Sequence, residues 1–136
     1  MKLKSLLISL LASALLCAGN TTFAAVHLQE SYSIKIEKLN VNLDNGKHIV
    51  DIDAIWSFRE NPEAGDYIDS NIVISDIKKF LAEYPNKSDF WEVVNRNLTK
   101  YLIEKFKNLK SMTVKIDVLA SKMDTYEHYS LVEATR

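Results

Sequence analysis

Apolar side chains recur at every second position from Tyr32 through Ile34 to Ile36, lose step by one residue, and resume through Leu39, Val41 and Leu43. A period of two predicts a strand with one buried face. A second alternating run, His48, Val50, Ile52, Ala54, Trp56 and Phe58, follows the tetrapeptide Asp44-Asn45-Gly46-Lys47. Asn-Gly suits the two positive-φ positions of a type I′ turn, so the two runs predict a β-hairpin. With Asn45 and Gly46 in the turn, Leu43 faces His48, Val41 faces Val50 and Leu39 faces Ile52. Beyond the lost step Ile36 faces Ala54, Ile34 faces Trp56 and Tyr32 faces Phe58. One extra residue near Glu37 and Lys38, opposite Asp53, then forms a β-bulge that bends the hairpin.

Residues 60–71 contain Pro62, Gly65 and the acids Glu60, Glu63, Asp66 and Asp69 with little periodicity, and read as a loop. Ser75 is placed to cap a short helix in which Ile77, Phe80, Leu81 and Tyr84 recur at helical spacing before Pro85 stops it. A second helix starts near Ser88 or Asp89, where Asp89 and Glu92 fit a capping box. Trp91, Val94, Leu98, Tyr101, Leu102 and Phe106 lay an apolar stripe along it. Met112 to Ala120 alternates as a third strand, and Tyr126 to Ala134 forms a fourth, joined to it through Lys122, Met123, Asp124 and Thr125. The order ββααββ predicts an α+β fold, an antiparallel sheet with two helices on one face.

The first residues change the picture of where this fold works. Lys2 and Lys4 precede an apolar run from Leu6 to Ala18, then a polar patch and Phe23-Ala24-Ala25, the order of a secretory signal peptide. The run is too short to span a bilayer, which takes about 20 apolar residues. Thr22 and Ala24 supply the small residues before a cut, so residues 1–24 read as a signal and 25–136 as one domain, secreted to a bacterial periplasm with no membrane span in the mature chain. The single cysteine, Cys17, lies inside the signal, behind Leu16 rather than the small residue a lipoprotein signal wants. Of 17 basic side chains, losing Lys2 and Lys4 leaves 15 against 18 acidic ones, a net charge of −3 that speaks against nucleic acid.

The element order, together with the run Ser88-Asp89-Phe90-Trp91-Glu92-Val93-Val94-Asn95-Arg96-Asn97-Leu98, resembles the tunnelling fold, and within it the dihydroneopterin aldolases. In that family a Phe opens the second helix, a Glu follows near its start, and the helix leads into a Val-rich strand. Here those places fall to Phe90, Glu92 and Met112 to Ala120. The resemblance implies that Glu92 anchors a pterin or purine by accepting paired hydrogen bonds from the ring N–H and exocyclic amine, as an ionised carboxylate can. A capping acid favoured by the helix dipole is the other reading of the same residue. The resemblance also implies a homo-oligomer and, through a shift of about two positions, Lys122 as a counterpart of the family's Lys. It departs at Ile74, which occupies the place of a catalytic Tyr, and at the tight turn after the first strand, where the family has a longer loop carrying a Glu. His27, His48 and His128 lack the spacing of the zinc enzymes of this fold, and no mature cysteine exists for its nitrile reductases.

Other groups are weaker. Asp51 and Asp53 share a strand face as paired carboxylates or a solvated edge, and the acids of residues 60–69 lack a calcium ladder. His48 sits on an apolar face. Tyr126, His128 and Tyr129 form an aromatic cluster suited to a flat ligand or a subunit contact. Asn97-Leu98-Thr99 matches a glycosylation sequon without consequence in a bacterium. The sequence therefore points to an exported tunnelling-fold protein, a binder of a pterin-like or purine-like ring or a divergent enzyme, with Glu92 as ligand anchor and Lys122 and His128 as candidate catalytic groups. No metal or cofactor is implied. The rival is a non-catalytic structural or interaction module of the cell envelope.

Overall fold

In the computed structural model, residues 26, 28–43, 46–120 and 127–136 are described. Strand β1 spans Ser31–Leu43 and β2 Gly46–Phe58, both 13 residues long. Helices α1, Ser70–Ala82, and α2, Trp91–Lys105, follow, and β3, Leu109–Val118, with β4, His128–Thr135, completes the chain. All neighbours in the sheet are antiparallel, in the order β1-β2-β3-β4. Both helices lie on one face of it, α1 toward β1 and α2 over β3 and β4. The ββααββ α+β architecture is as the sequence predicts.

The alternation becomes burial. Val50, Ile52, Ala54, Trp56 and Phe58 on β2 and Met112, Val114, Ile116 and Val118 on β3 point under the helices and are buried. Val73, Ile77 and Leu81 of α1 and Trp91, Val94, Leu98 and Leu102 of α2 close over them. Phe106 lies at the C-terminal end of α2, where its N–H bonds Leu102 O, and Ile103 takes the buried place there.

The hairpin corrects the sequence reading by two residues. Leu43 pairs with Gly46, Val41 with His48 and Leu39 with Val50, while Ile36 pairs with Ile52, Ile34 with Ala54 and Tyr32 with Trp56. Gly46 is thus a strand residue; Asp44 and Asn45 lie outside the described residues. A shift of two keeps every side chain on its face, which is why the hydrophobic pattern could not detect it. The irregularity falls between Ile36 and Leu39 as expected, but opposite Asp51 rather than Asp53. There Lys38 takes a positive φ of 53°, and its N–H donates to Asp51 Oδ1 at 2.8 Å.

Both helix starts also differ. Asp69, not Ser75, caps α1, accepting from Asn71 N at 2.8 Å, so the helix begins six residues earlier and gains Val73 for its buried stripe. The predicted capping box of α2 is absent: its cap position is Phe90, with no side-chain bond. Asp89 turns instead to Tyr84 and Asn86. In the segment read as a loop, Ala64–Asp66 forms a single 3-10 turn in which Asp66 accepts from Glu63 N. Strand β3 begins at Leu109 and ends at Val118, and β4 runs two residues later than Tyr126. The predicted turn at Lys122 to Thr125, with Tyr126, lies outside the described residues.

Candidate functional site

Helix α2 is fixed to the sheet by one buried amide. Asn95 Nδ2 donates to Val114 O at 3.0 Å and to the carbonyl and hydroxyl of Ser130 at 3.0 and 3.1 Å. Glu92 stands one turn before Asn95, and His128 two residues before Ser130, so both belong to the same end of the helix-sheet layer. His128 pairs with Val118 there and is exposed. Lys122 lies outside the described residues.

Glu92 is exposed in the first turn of α2 and spends no lone pair on any described residue. Its neighbours make a partly aromatic surface. Phe90 is 79% exposed, an unusual placement for a Phe with nothing over it. Trp91 is buried, and its ring meets His48 edge-on at 5.7 Å. His48 in turn bonds Leu43 O through Nε2 at 3.1 Å, so it is held between hairpin and helix as a packed residue. The capping role for Glu92 is removed by this geometry, while the favourable field of the helix N-terminus remains.

Of the other sequence candidates, Ile74 packs against the core. Asp53 lies on the sheet face opposite the helices, in register between Lys35 and Lys115. On that face Lys35 pairs with Glu37 at 3.3 Å and Lys115 with Asp117 at 2.8 Å, and each partner, by its hydrogen bond first and its charge second, raises the lysine above its usual range. Asp51 is engaged with the bulge, and Asp66 and Asp69 with turns and caps. Tyr129 of the expected aromatic cluster is 63% exposed, with Lys115 Nζ 4.9 Å from its ring centre. Among the described residues no three His, Cys, Asp or Glu side chains are grouped to hold a metal ion. Nor is any described helix long and apolar enough to cross a membrane.

Surface hollows of about 520, 330 and 530 Å³ lie among the described residues, and Glu92 lines none of these. The first, between the helices, was not singled out by sequence reasoning. Its signal was the break at Pro85-Asn86 between two aromatic-bearing helices.

This chain is similar to a structure assigned as a dihydroneopterin aldolase from Vibrio cholerae O1 biovar El Tor. It superposes with a TM-score of 0.59 over 77% of this chain and 98% of that one, at 12% sequence identity. The chain has the tunnelling fold. No protein-family model matches the sequence, and no curated protein matches it either. At this identity the likeness shows the shared fold alone and assigns no role to Glu92.

Proposed function

We propose that this protein is exported and binds a pterin-like or purine-like heterocycle, with Glu92 as the anchoring carboxylate at a junction between copies of the chain. The observation that carries the reading is the state of Glu92. It sits at the N-terminus of the second helix of a tunnelling fold, its carboxylate makes no bond among the described residues, and an exposed phenylalanine lies two residues away. A carboxylate with both oxygens free can accept two parallel N–H bonds from one edge of a flat ring, while an aromatic side chain covers its face. A neighbouring copy would supply the missing wall, because β1 and β4 each leave one edge of the sheet unpaired.

Binding without aldolase turnover is the form favoured, since Ile74 offers no proton where that family has a tyrosine. A non-catalytic interaction module of the envelope is the second reading, and the exposed Ile55, Leu131 and Tyr129 on the open face of the sheet favour it.

The test is a melting-temperature titration with neopterin, guanine and urate, because a ligand of the folded state stabilises it by mass action. A rise with one of them that is lost in Glu92→Ala supports the reading. Absence of any rise at saturating ligand rejects it in favour of the module. Periplasmic fractionation, with N-terminal sequencing for a start at Ala25, tests the export separately.

A further inference from the structure

The hollow of about 520 Å³ lies between the end of α1 and the start of α2, and no sheet residue lines it. Its wall is aromatic. Phe80 and Tyr101 stack with ring centres 5.3 Å apart and planes inclined by 29°, and Phe80 meets Tyr84 at 5.5 Å. One end is closed by a hydrogen-bonded chain in which Tyr84 hydroxyl donates to Asp89 Oδ2 at 2.7 Å and accepts from Asn97 Nδ2 at 2.8 Å. Asn86 Nδ2 donates to the other carboxylate oxygen, Asp89 Oδ1, at 2.5 Å.

The direction of that chain is forced. A phenol has one hydrogen and a carboxylate only accepts, so Asn97 must present its amino group to Tyr84 and keep its carbonyl oxygen free. Burial first, and the bond to Asp89 second, push the Tyr84 phenol up, which keeps it the donor. Each Asp89 oxygen retains a lone pair. Glu83, also in the lining, is exposed, and its carboxylate makes no bond among the described residues. Lys79 is the one cation of the lining, against two carboxylates. Arg96, whose charge reaches Tyr84, stands outside it.

We propose that this hollow binds a small organic cation, an amine or quaternary ammonium carried on an apolar body. Aromatic faces attract cations, and the free acceptors at the closed end suit N–H donors. The size is that of small-molecule sites, roughly 300 to 1,000 Å³. A cation already uses the adjoining aromatic surface: Lys105 Nζ lies 5.6 Å from the centre of Tyr101 and 5.9 Å from that of Phe106. The site is separate from the heterocycle reading, since Glu92 forms no part of its lining.

Three probes with one common ring decide the matter: phenethylamine, phenylacetate and 2-phenylethanol, titrated into the intact protein by NMR. Phenethylamine is expected to shift the Phe80, Asp89 and Asn97 resonances saturably, at least about tenfold more tightly than phenylacetate. Asp89→Asn should weaken the amine about tenfold, and Glu92→Ala should leave it unchanged. Should Asp89→Asn fail to fold, Glu83→Gln at the exposed rim must weaken the amine and spare 2-phenylethanol. Equal affinity for amine and acid, or no saturable shift at millimolar amine, overturns the proposal.

Discussion

Asn95 of α2 and Ser130 of β4 are joined twice, through the carbonyl and the hydroxyl of the serine, at 3.0 and 3.1 Å. Both residues are buried, and the same amide reaches Val114 O, so one side chain ties the second helix to two strands. Replacing it by Leu would leave two strand carbonyls without the donor that now satisfies them. Asn95→Leu is expected to lower stability by about 1–3 kcal/mol, the cost of buried polar groups left unpaired. Ser130→Ala keeps the carbonyl bond and should cost less. Urea denaturation of the two variants checks the order, and a larger loss in Ser130→Ala would show that the hydroxyl, not the carbonyl, is the anchor.

At the bulge, Lys38 holds a left-handed conformation that costs a non-glycine residue about 1–2 kcal/mol in the general case. Glycine relieves that cost but adds freedom to the unfolded chain, worth about 0.4–1 kcal/mol in the other direction. Lys38→Gly should therefore be neutral to stabilising by up to about 1 kcal/mol, while Lys38→Val destabilises, because a β-branched side chain tolerates this region least. Asp51→Ala removes the acceptor of the Lys38 N–H and should destabilise, less so than a buried loss because the pair is exposed. Thermal melts of the three variants measure this, and stabilisation by Val would contradict the geometry.

Alkaline pH should weaken the fold through two groups of the helix layer. Tyr84 is raised above its ordinary value of about 10, by burial first and then by its bond to Asp89. Lys105 is raised above its ordinary value by its hydrogen bond to Asp76 at 2.7 Å. In both cases the folded state holds its proton more tightly than the unfolded state. Their contribution is complete below the unfolded pKa values, near 10, and is lost as pH rises through the folded ones. Stability from these groups should be level between pH 7 and about 10 and decline above, and Tyr84→Phe should make that decline shallower. Denaturation midpoints across this range, with phenolate absorbance of the native protein, provide the measurement. An unchanged slope in Tyr84→Phe would place the titrating group elsewhere.

The element order and the buried faces were legible because alternation and helical stripes are properties of single segments. Trp56, Val94 and Val114 fall where their periods put them. The hairpin register was not, since a two-residue slip leaves Val41 and Val50 equally buried. Cap positions misled for a related reason: Ser75 and Asp89 carry the right chemistry, but Asp69 is the residue that meets a free N–H, and Asp89 has Tyr84 as a stronger partner. Glu92 could be named from its position at the helix start. That its carboxylate makes no bond among the described residues depended on what Asp89 and Phe90 do in space, which no spacing encodes. Asn95, at the centre of the helix-sheet contact, showed only as a polar interruption of the stripe.

The face of the sheet turned away from the helices provides the last expectation. Ile55, Leu131 and Tyr129 are 47%, 60% and 63% exposed there, beside a groove of about 530 Å³ that also takes in Lys35, Asp53 and Lys115. An open β-sheet that keeps large apolar groups in water, with unpaired strands at both ends, gains by meeting another sheet. The charged rungs between those groups would set the register of such a contact, because like charges placed opposite each other are disfavoured. The protein is therefore expected to sediment as an oligomer at micromolar concentration. Leu131→Lys should shift it toward the monomer with its far-ultraviolet circular dichroism unchanged, since Leu131 supports no part of the core. Leu98→Lys, by contrast, should unfold it. If the parent protein sediments as a monomer at hundreds of micromolar, the junction that Glu92 needs has no second wall, and the heterocycle reading falls with it.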